Sequence, residues 1–422
     1  MFSRILGSPA TPGERRSGLA DPATESFSAM NPRSVPRVPL SRPSISTSEI
    51  ARVRAVMERG RLATGPETAA FEAAIADRCG TRHAVAVSSG TAALHLIVRA
   101  LGLEPGDEVI TTPYSFVASA NALLFERLAP VFVDVDPHTF NIDVDAIGAA
   151  VTTRTRAVLA VDVFGFPADW TRLTEVAGRH GLALIDDACE GLGGSHAGVP
   201  LGAWGDAAAF GFYPNKQITT GEGGCVTTDS REIADFCRSA RNQGRSSDDR
   251  MHHTILGYNY RMDEMSAALG VAQLERWDEL AAKREAVAAS YDEQLADLSD
   301  VVRRPPRPAG AERSWFVYVV ELKAPLDRAG RNKVIASLAE RGIETAPYFP
   351  SIHLQPLYRE RFGFRPGTFP VSEDVSGRTL ALPFFPDLSL EEIGYVVDSL
   401  RAAVGALYER RDRPGGGAMI GR

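Results

Sequence analysis

The chain has 422 residues, with 46 Lys and Arg against 53 Asp and Glu, a formal charge of −7; that acidic balance argues against a dedicated nucleic-acid binder. At 44% hydrophobic and 23% charged residues, the composition suits a folded chain with a large core and excludes pervasive disorder, collagen and a coiled coil. The length suggests two domains of about 150 residues or more, or one large domain with a satellite, and no run approaches the ~20 apolar residues of a membrane-spanning helix.

Residues 1–36 are rich in Ser, Pro, Arg and Gly, lack the apolar stretch of a secretory signal, and read as a disordered extension. Ser46-Thr47-Ser48-Glu49 has the capping-box form, and Ile50, Val53, Val56 and Met57 follow at helical spacing until Gly60. A second helix is predicted from about Glu67 to Cys79, stopped by Gly80. Six short apolar runs come next, at His83 to Val87, Glu108 to Thr111, Pro130 to Val135, Ala157 to Val163, Leu182 to Asp186 and Ala207 to Phe212. Runs without polar alternation suit strands buried on both faces of a mostly parallel sheet, which makes this an α/β domain.

From Glu264 to about Ala296 the pattern predicts one long helix, ended before Pro305, Pro306 and Pro308. Beyond it lie a strand at Trp315 to Leu322, a helix at Asn332 to Arg341, and a last helix opened by Ser389-Leu390-Glu391-Glu392, with Ile393, Val397, Leu400 and Val404 on one face. The predicted organisation is a large domain over 37–280, a small α+β domain over 281–410, a linking helix at about 264–296 and a flexible tail over 411–422. Cys79, Cys189, Cys225 and Cys237 match no zinc or CxxC spacing and read as reduced thiols of a cytoplasmic protein. The histidines, including His252-His253, show no metal spacing, so no metal is expected.

Only four of the 46 basic residues are lysines, and Lys216 is the only lysine in the first 282 residues. It follows directly on a predicted strand, in a turn supplied by Pro214 and Asn215, with Gly221, Gly223 and Gly224 soon after. The glycines follow the lysine, so this is not a Walker loop. A catalytic amine must shed its proton to attack a carbonyl, and burial at a strand end lowers the ordinary lysine pKa of about 10.4 in that direction. Taken alone, the segment reads equally well as a surface lysine in a glycine-rich turn.

Its neighbours decide the matter. Asp186 and Asp187 end a predicted strand, at the sheet edge where α/β ligand sites form. Ser88-Ser89-Gly90-Thr91 sits between a strand and a helix, where free N–H groups and the helix dipole suit a phosphate, although a plain Ser N-cap reads the same way. Phe116 follows the next strand and could stack on a flat ring or belong to the core. An amine, a carboxylate, a phosphate cradle and an aromatic plate at one edge are the parts that hold pyridoxal phosphate.

The chain resembles the DegT/StrS aminotransferases that act on sugar nucleotides, of the type I pyridoxal-phosphate transferase fold, over about residues 38 to 408. The likeness rests on Ser89-Gly90-Thr91-Ala92-Ala93-Leu94, Asp186-Asp187-Ala188-Cys189-Glu190, the Lys216 segment through Gly224, Leu256-Gly257-Tyr258-Asn259-Tyr260-Arg261-Met262, Ile352-His353-Leu354-Gln355 and Leu382-Pro383. The resemblance implies that Lys216 is the Schiff-base lysine and that Asp187 partners the pyridine nitrogen. It also implies that Gly90 and Thr91 cradle the phosphate, that Phe116 stacks on the ring, and that Glu190 lies beside it. Asn259 would reach the neighbouring subunit's phosphate in a homodimer, and His353 and Tyr348 would face substrate. The family often has serine where Gly211 stands, glutamine where Glu190 stands and histidine where Asp162 stands, departures expected to surround cofactor and sugar.

The implied activity is transfer of an amino group from L-glutamate to a keto-sugar nucleotide in amino-sugar or polysaccharide biosynthesis, without nucleic-acid or membrane partners. The alternatives of the same fold are a sugar dehydrase, whose family typically replaces the lysine or adds an iron–sulfur site, and a non-catalytic regulator. An NAD-binding oxidoreductase would need a strand–GxGxxG–helix unit, which Gly191-Leu192-Gly193-Gly194-Ser195 does not supply.

Overall fold

The computed structural model describes residues 37–412 apart from 247, 248, 250, 308 and 309. The predicted extension over 1–36, and the tail from 413 onward, lie outside the described residues. Helix α1 (Thr47–Arg59) starts at the expected capping box on Ser46, and α2 (Pro66–Cys79) ends on Gly80 in the left-handed conformation.

Five strands then lead into the sheet: β1 (His83–Val87), β2 (Glu108–Thr111), β3 (Ala129–Phe132), β4 (Thr155–Val161) and β5 (Ala183–Asp187). Between them run α3 (Gly90–Ala100), α4 (Ala118–Phe125), α5 (Val144–Ala150) and α6 (Trp170–His180). A short ribbon, β6 (Ser195–His196) and β7 (Val199–Pro200), precedes β8 (Ala207–Gly211) and β9 (Gly224–Thr228), after which α7 (Arg231–Ala240) packs back. The sheet order is β1-β9-β8-β5-β4-β2-β3, and β9 alone runs antiparallel to the rest. Both faces are covered, as the unalternated runs require: Val85 and Val87 of β1 enter one apolar cluster, and Ala84 and Ala86 the opposite one. Strand β9 was not predicted. Its sequence, Gly-Cys-Val-Thr-Thr, is short, begins on a glycine and is polar in two of its five residues, so it carries little apolar signal.

The predicted long helix is two helices, α8 (Glu264–Glu275) and α9 (Trp277–Gln294), separated at Arg276, whose backbone turns to φ −103° and ψ 15°. The Arg276 guanidinium bonds the buried Glu49 carboxylate at 2.6 Å and, within the first turn of α9, Glu279 at 2.9 Å, so one tertiary and one local ion pair hold the break. The expected boundary at 280/281 falls inside α9.

The C-terminal part contributes β10 (Val302–Arg303), β11 (Ala311–Glu312), β12 (Tyr318–Leu322), α10 (Arg328–Glu340), α11 (Pro356–Phe362), α12 (Pro370–Arg378), β13 (Thr379–Leu382) and α13 (Leu390–Asp412). Strands β10, β12 and β13 form a small antiparallel sheet with its own core around Tyr291, Tyr318, Leu338 and Leu400. Helix α13 opens on the predicted box, with Ser389 Oγ accepting from Glu392 N, and reaches Asp412, so the predicted tail begins in a helix. Phe316, Val317 and Phe349 join the core of the large sheet, so the described residues cluster as one unit.

Candidate active site

The parallel strands of the large sheet end at one edge. There the ends of β1, β5 and β8 surround a cavity of about 460 Å³, whose wall includes Gly90, Thr91, Phe116, Asp187, Glu190 and Lys216. Asp187 is the last residue of β5 and is buried. Its Oδ2 accepts the Ser119 hydroxyl of α4 at 2.7 Å, and its Oδ1 accepts the Cys189 N–H at 3.3 Å. Burial pushes the Asp187 pKa up, against the lowering effect of the Ser119 hydrogen bond. Asp186 points the other way and accepts the Gly202 N–H at 2.9 Å.

Lys216 stands in the loop between β8 and β9, where its N–H bonds the Tyr213 carbonyl at 2.9 Å across the Pro214-Asn215 turn. Its own carbonyl accepts from the buried Arg284 guanidinium at 2.6 Å. The side chain is 15% exposed, with Nζ 3.6 Å from Glu190 Oε1 and 4.2 Å from the centre of the Phe316 ring.

At the end of β1, the Ser89 side chain caps α3 by accepting from Ala92 N, so Gly90 and Thr91 form the first turn of that helix at the cavity wall. The plain N-cap and the expected phosphate cradle therefore fall on the same turn. Close approach dictates the glycines. A Cβ on Gly90 would lie 2.8 Å from Cys189 Sγ, and one on Gly224 would fall on the Ser89 carbonyl. At Gly211 a Cβ meets only ordinary contacts, the nearest at 3.6 Å, so a serine there is absent from the sequence and not excluded by space.

Phe116 is 60% exposed and lines the cavity, so it is not a core residue. Tyr348 also lines the cavity, where Asn215 Nδ2 donates to its hydroxyl at 3.4 Å and burial raises its pKa to about 12. Asn259 is exposed and lies outside the cavity wall, on the segment that bridges back to Asn242.

Two expectations are corrected. His353 is 0% exposed, bonded at 3.0 Å to Glu373 and packed edge-on to Phe369, so it lies in the protein interior and not at the cavity mouth. Asp162 is likewise fully buried behind the site, accepting from Ala168 N at 2.8 Å and Trp170 Nε1 at 2.9 Å, and does not line the cavity.

The sequence reading missed Ser119 and Phe316. Ser119 follows Phe116 by three residues, a spacing that returns to the same face within a helical turn, and this was the available signal. Phe316 arrives from the C-terminal part of the chain, and nothing local announces it.

The residues present fit pyridoxal phosphate: a helix start with a glycine that a Cβ would block, an aromatic plate, and an amine among more carboxylates than it can neutralise. Asp187 and Glu190 face one Lys216, a surplus that a ring N–H would meet.

The family model of the DegT/DnrJ/EryC1/StrS aminotransferases matches residues 43–401. This chain belongs to that family. It is a pyridoxal-phosphate-dependent transaminase of the type I fold. Among its relatives, GDP-perosamine synthase of Caulobacter vibrioides is 40% identical over 325 residues, 77% of this chain and 87% of that protein. The spore coat polysaccharide biosynthesis protein SpsC of Bacillus subtilis is 35% identical over 378 residues, 87% of this chain and 97% of its own. Among solved structures, Helicobacter pylori PseC, an aminotransferase in pseudoaminic acid biosynthesis, superposes with a TM-score of 0.84 at 28% identity, covering 87% of this chain and 99% of the other. Among the described residues of this aminotransferase, no helix is long and apolar enough to cross a membrane.

Proposed function

We propose that this aminotransferase moves an amino group from L-glutamate to a keto-sugar nucleotide in the cytoplasm, as a homodimer. The observation that carries the reading is the Lys216 amine at the cavity wall with Asp187 and the α3 turn on the same wall. The names of GDP-perosamine synthase and of the pseudoaminic acid enzyme support a sugar-nucleotide acceptor.

Pyridoxal phosphate supplies the carbonyl that carries the amino group and a protonated ring that draws off the electrons of a broken C–H bond. Asp187 would hold the ring N–H, Gly90 and Thr91 would bind the phosphate through the first turn of α3, and Phe116 would fix the plane of the ring. Asn259 completes the neighbouring subunit's phosphate site. Lys216 Nζ would take the proton from the amino-acid Cα and hold it for return. Water would supply the keto oxygen of 2-oxoglutarate as the amino group stays behind, and the same groups would act in the reverse order on the keto-sugar carbon, releasing that water. Two half-reactions that share one site give ping-pong kinetics.

A panel of 3-keto and 4-keto sugar nucleotides, with glutamate-dependent product read by mass, tests the acceptor. Loss of the bound cofactor's visible absorption on adding glutamate tests the donor. Turnover that persists in Lys216→Ala would sink the assignment of the amine, and no product from any keto-sugar nucleotide would sink the acceptor class.

A further inference from the structure

A second cavity, of about 280 Å³, shares no lining residue with the first. Lys216 lines one and Gln217, the next residue, lines the other, so the lysine turn divides them. Two arginines stand on the second wall: Arg284 of α9, and Arg313 from the link between β11 and β12. Arg284 is 4% exposed. Its two terminal nitrogens donate to the Phe316 and Lys216 carbonyls at 3.3 and 2.6 Å, while its buried Nε–H has no partner. Arg313 is half-buried, with its guanidinium 5.2 Å from the centre of the Phe166 ring and 4.8 Å from that of Trp315, and its Nε–H is likewise buried without a partner.

Neither guanidinium has an ion-pair partner among the described residues, and the carboxylates nearby are already engaged. Glu285, on the same wall, accepts from Arg307 and from Trp315 Nε1, each at 2.7 Å. Asp292 accepts from Arg307 and from the Tyr318 hydroxyl, each also at 2.7 Å. Gln217 Nε2 is spent on the Glu190 carbonyl and Ser314 Oγ. Burial pushes Arg284 down to about 10 and Arg313 down to about 9, the second helped by the charge of Arg307. Both stay protonated at neutral pH, and two buried like charges without a counter-ion are costly to hold.

We propose that this second cavity is a binding site for a small oxyanion, held by the Nε–H groups of Arg284 and Arg313. Guanidinium donors match the oxygens of a phosphate or a carboxylate and form charge-assisted hydrogen bonds with either. The anion supplies the negative charge that the protein withholds from this wall, and it sits one hydrogen bond away from the backbone of the Lys216 turn. The site stands apart from the choice of sugar acceptor, and no bond is made or broken in it.

The test uses holoenzyme, in which pyridoxal phosphate occupies the phosphate cradle, titrated with inorganic phosphate and with succinate at matched ionic strength. Heat of binding and the thermal unfolding midpoint are read for the wild type, Arg313→Gln and Arg284→Gln. The expected result is saturable binding of at least one anion, a midpoint that rises with its concentration, and an affinity lower by about 10-fold or more in Arg313→Gln, whose turnover stays at the wild-type level. Binding of phosphate alone marks a tetrahedral anion and binding of succinate alone a carboxylate, and either supports the site. Equal affinity in Arg313→Gln and the wild type puts the anion elsewhere and overturns the inference, as does the absence of saturable binding by both anions in the millimolar range. Arg284→Gln should lose binding as well; because Arg284 also holds two carbonyls, that variant can fail to fold, and Arg313→Gln then decides alone.

Discussion

At the scale of single residues, the two aspartates that end β5 have opposite tasks. Asp187 faces the cavity, and replacing it with Asn should keep the fold while lowering turnover about 10²-fold, measured with the cofactor saturating. A loss of less than threefold would exclude a role at the ring nitrogen. Asp186 faces backward onto Asp162. Each has one buried oxygen without another partner, Asp162 Oδ2 and Asp186 Oδ1, and the two side chains bond each other. Two adjacent buried carboxyls must share a proton, and burial raises Asp162 to about 7.

The folded state therefore holds a proton that the unfolded chain releases near pH 4. Its contribution to stability is full below that pH and is lost as pH rises through the raised range of the pair, in which Asp186 holds the proton more tightly than Asp162. Asp162→Asn supplies a permanent N–H in place of the shared proton. It should flatten the slope and raise stability at pH 8 by on the order of 1–3 kcal/mol, as read by urea unfolding at pH 5 and pH 8. An unchanged slope would refute the shared proton.

At the scale of elements, the sequence located strands by their apolar runs and located the site by what stands at their ends. β1 and β2 fall where predicted, because Ala84 to Val87 and Val109 with Ile110 stand as short apolar runs between turn residues. β9 escaped because glycine opens it and threonine closes it, and its burial is imposed by β1 and β8 on either side. The Arg276 break escaped because its cause, Glu49, lies more than 200 residues away in the chain. His353 shows the converse: a motif position can be read correctly and its side chain still turn inward to Glu373. The crossing of β9 beneath the α3 turn gives a direct test. Gly224→Ala should cost about 1–3 kcal/mol and weaken cofactor binding, measured by thermal unfolding with and without pyridoxal phosphate. A variant that melts like the wild type would show that the turn can shift.

At the scale of the whole molecule, the exposed Asn259 has no counterpart to serve within its own cavity. If it completes a partner's site, a mixture of Lys216→Ala and Asn259→Ala subunits should regain activity that neither has alone, because the hybrid dimer holds one site with both residues intact. The expected recovery approaches one quarter of the wild type, since half of randomly assorted dimers are hybrids and each has one complete site of two. Sedimentation should show a dimer, and failure of a verified hybrid to regain turnover would confine the site to one chain.

The reversed direction of β9 has a wider consequence. Because β8 leaves the active edge and β9 re-enters it, the residues between Gly211 and Gly224 form a loop whose two ends are fastened into neighbouring strands. The loop that presents the lysine is thus closed at its base by two paired strands and clamped from outside by Arg284 on the Lys216 carbonyl and by Gln217 on the Glu190 carbonyl and Ser314. Transplanting it between relatives would carry Lys216 together with its rim only where the host keeps those partners, while the α3 turn and Asp187 stay with the host.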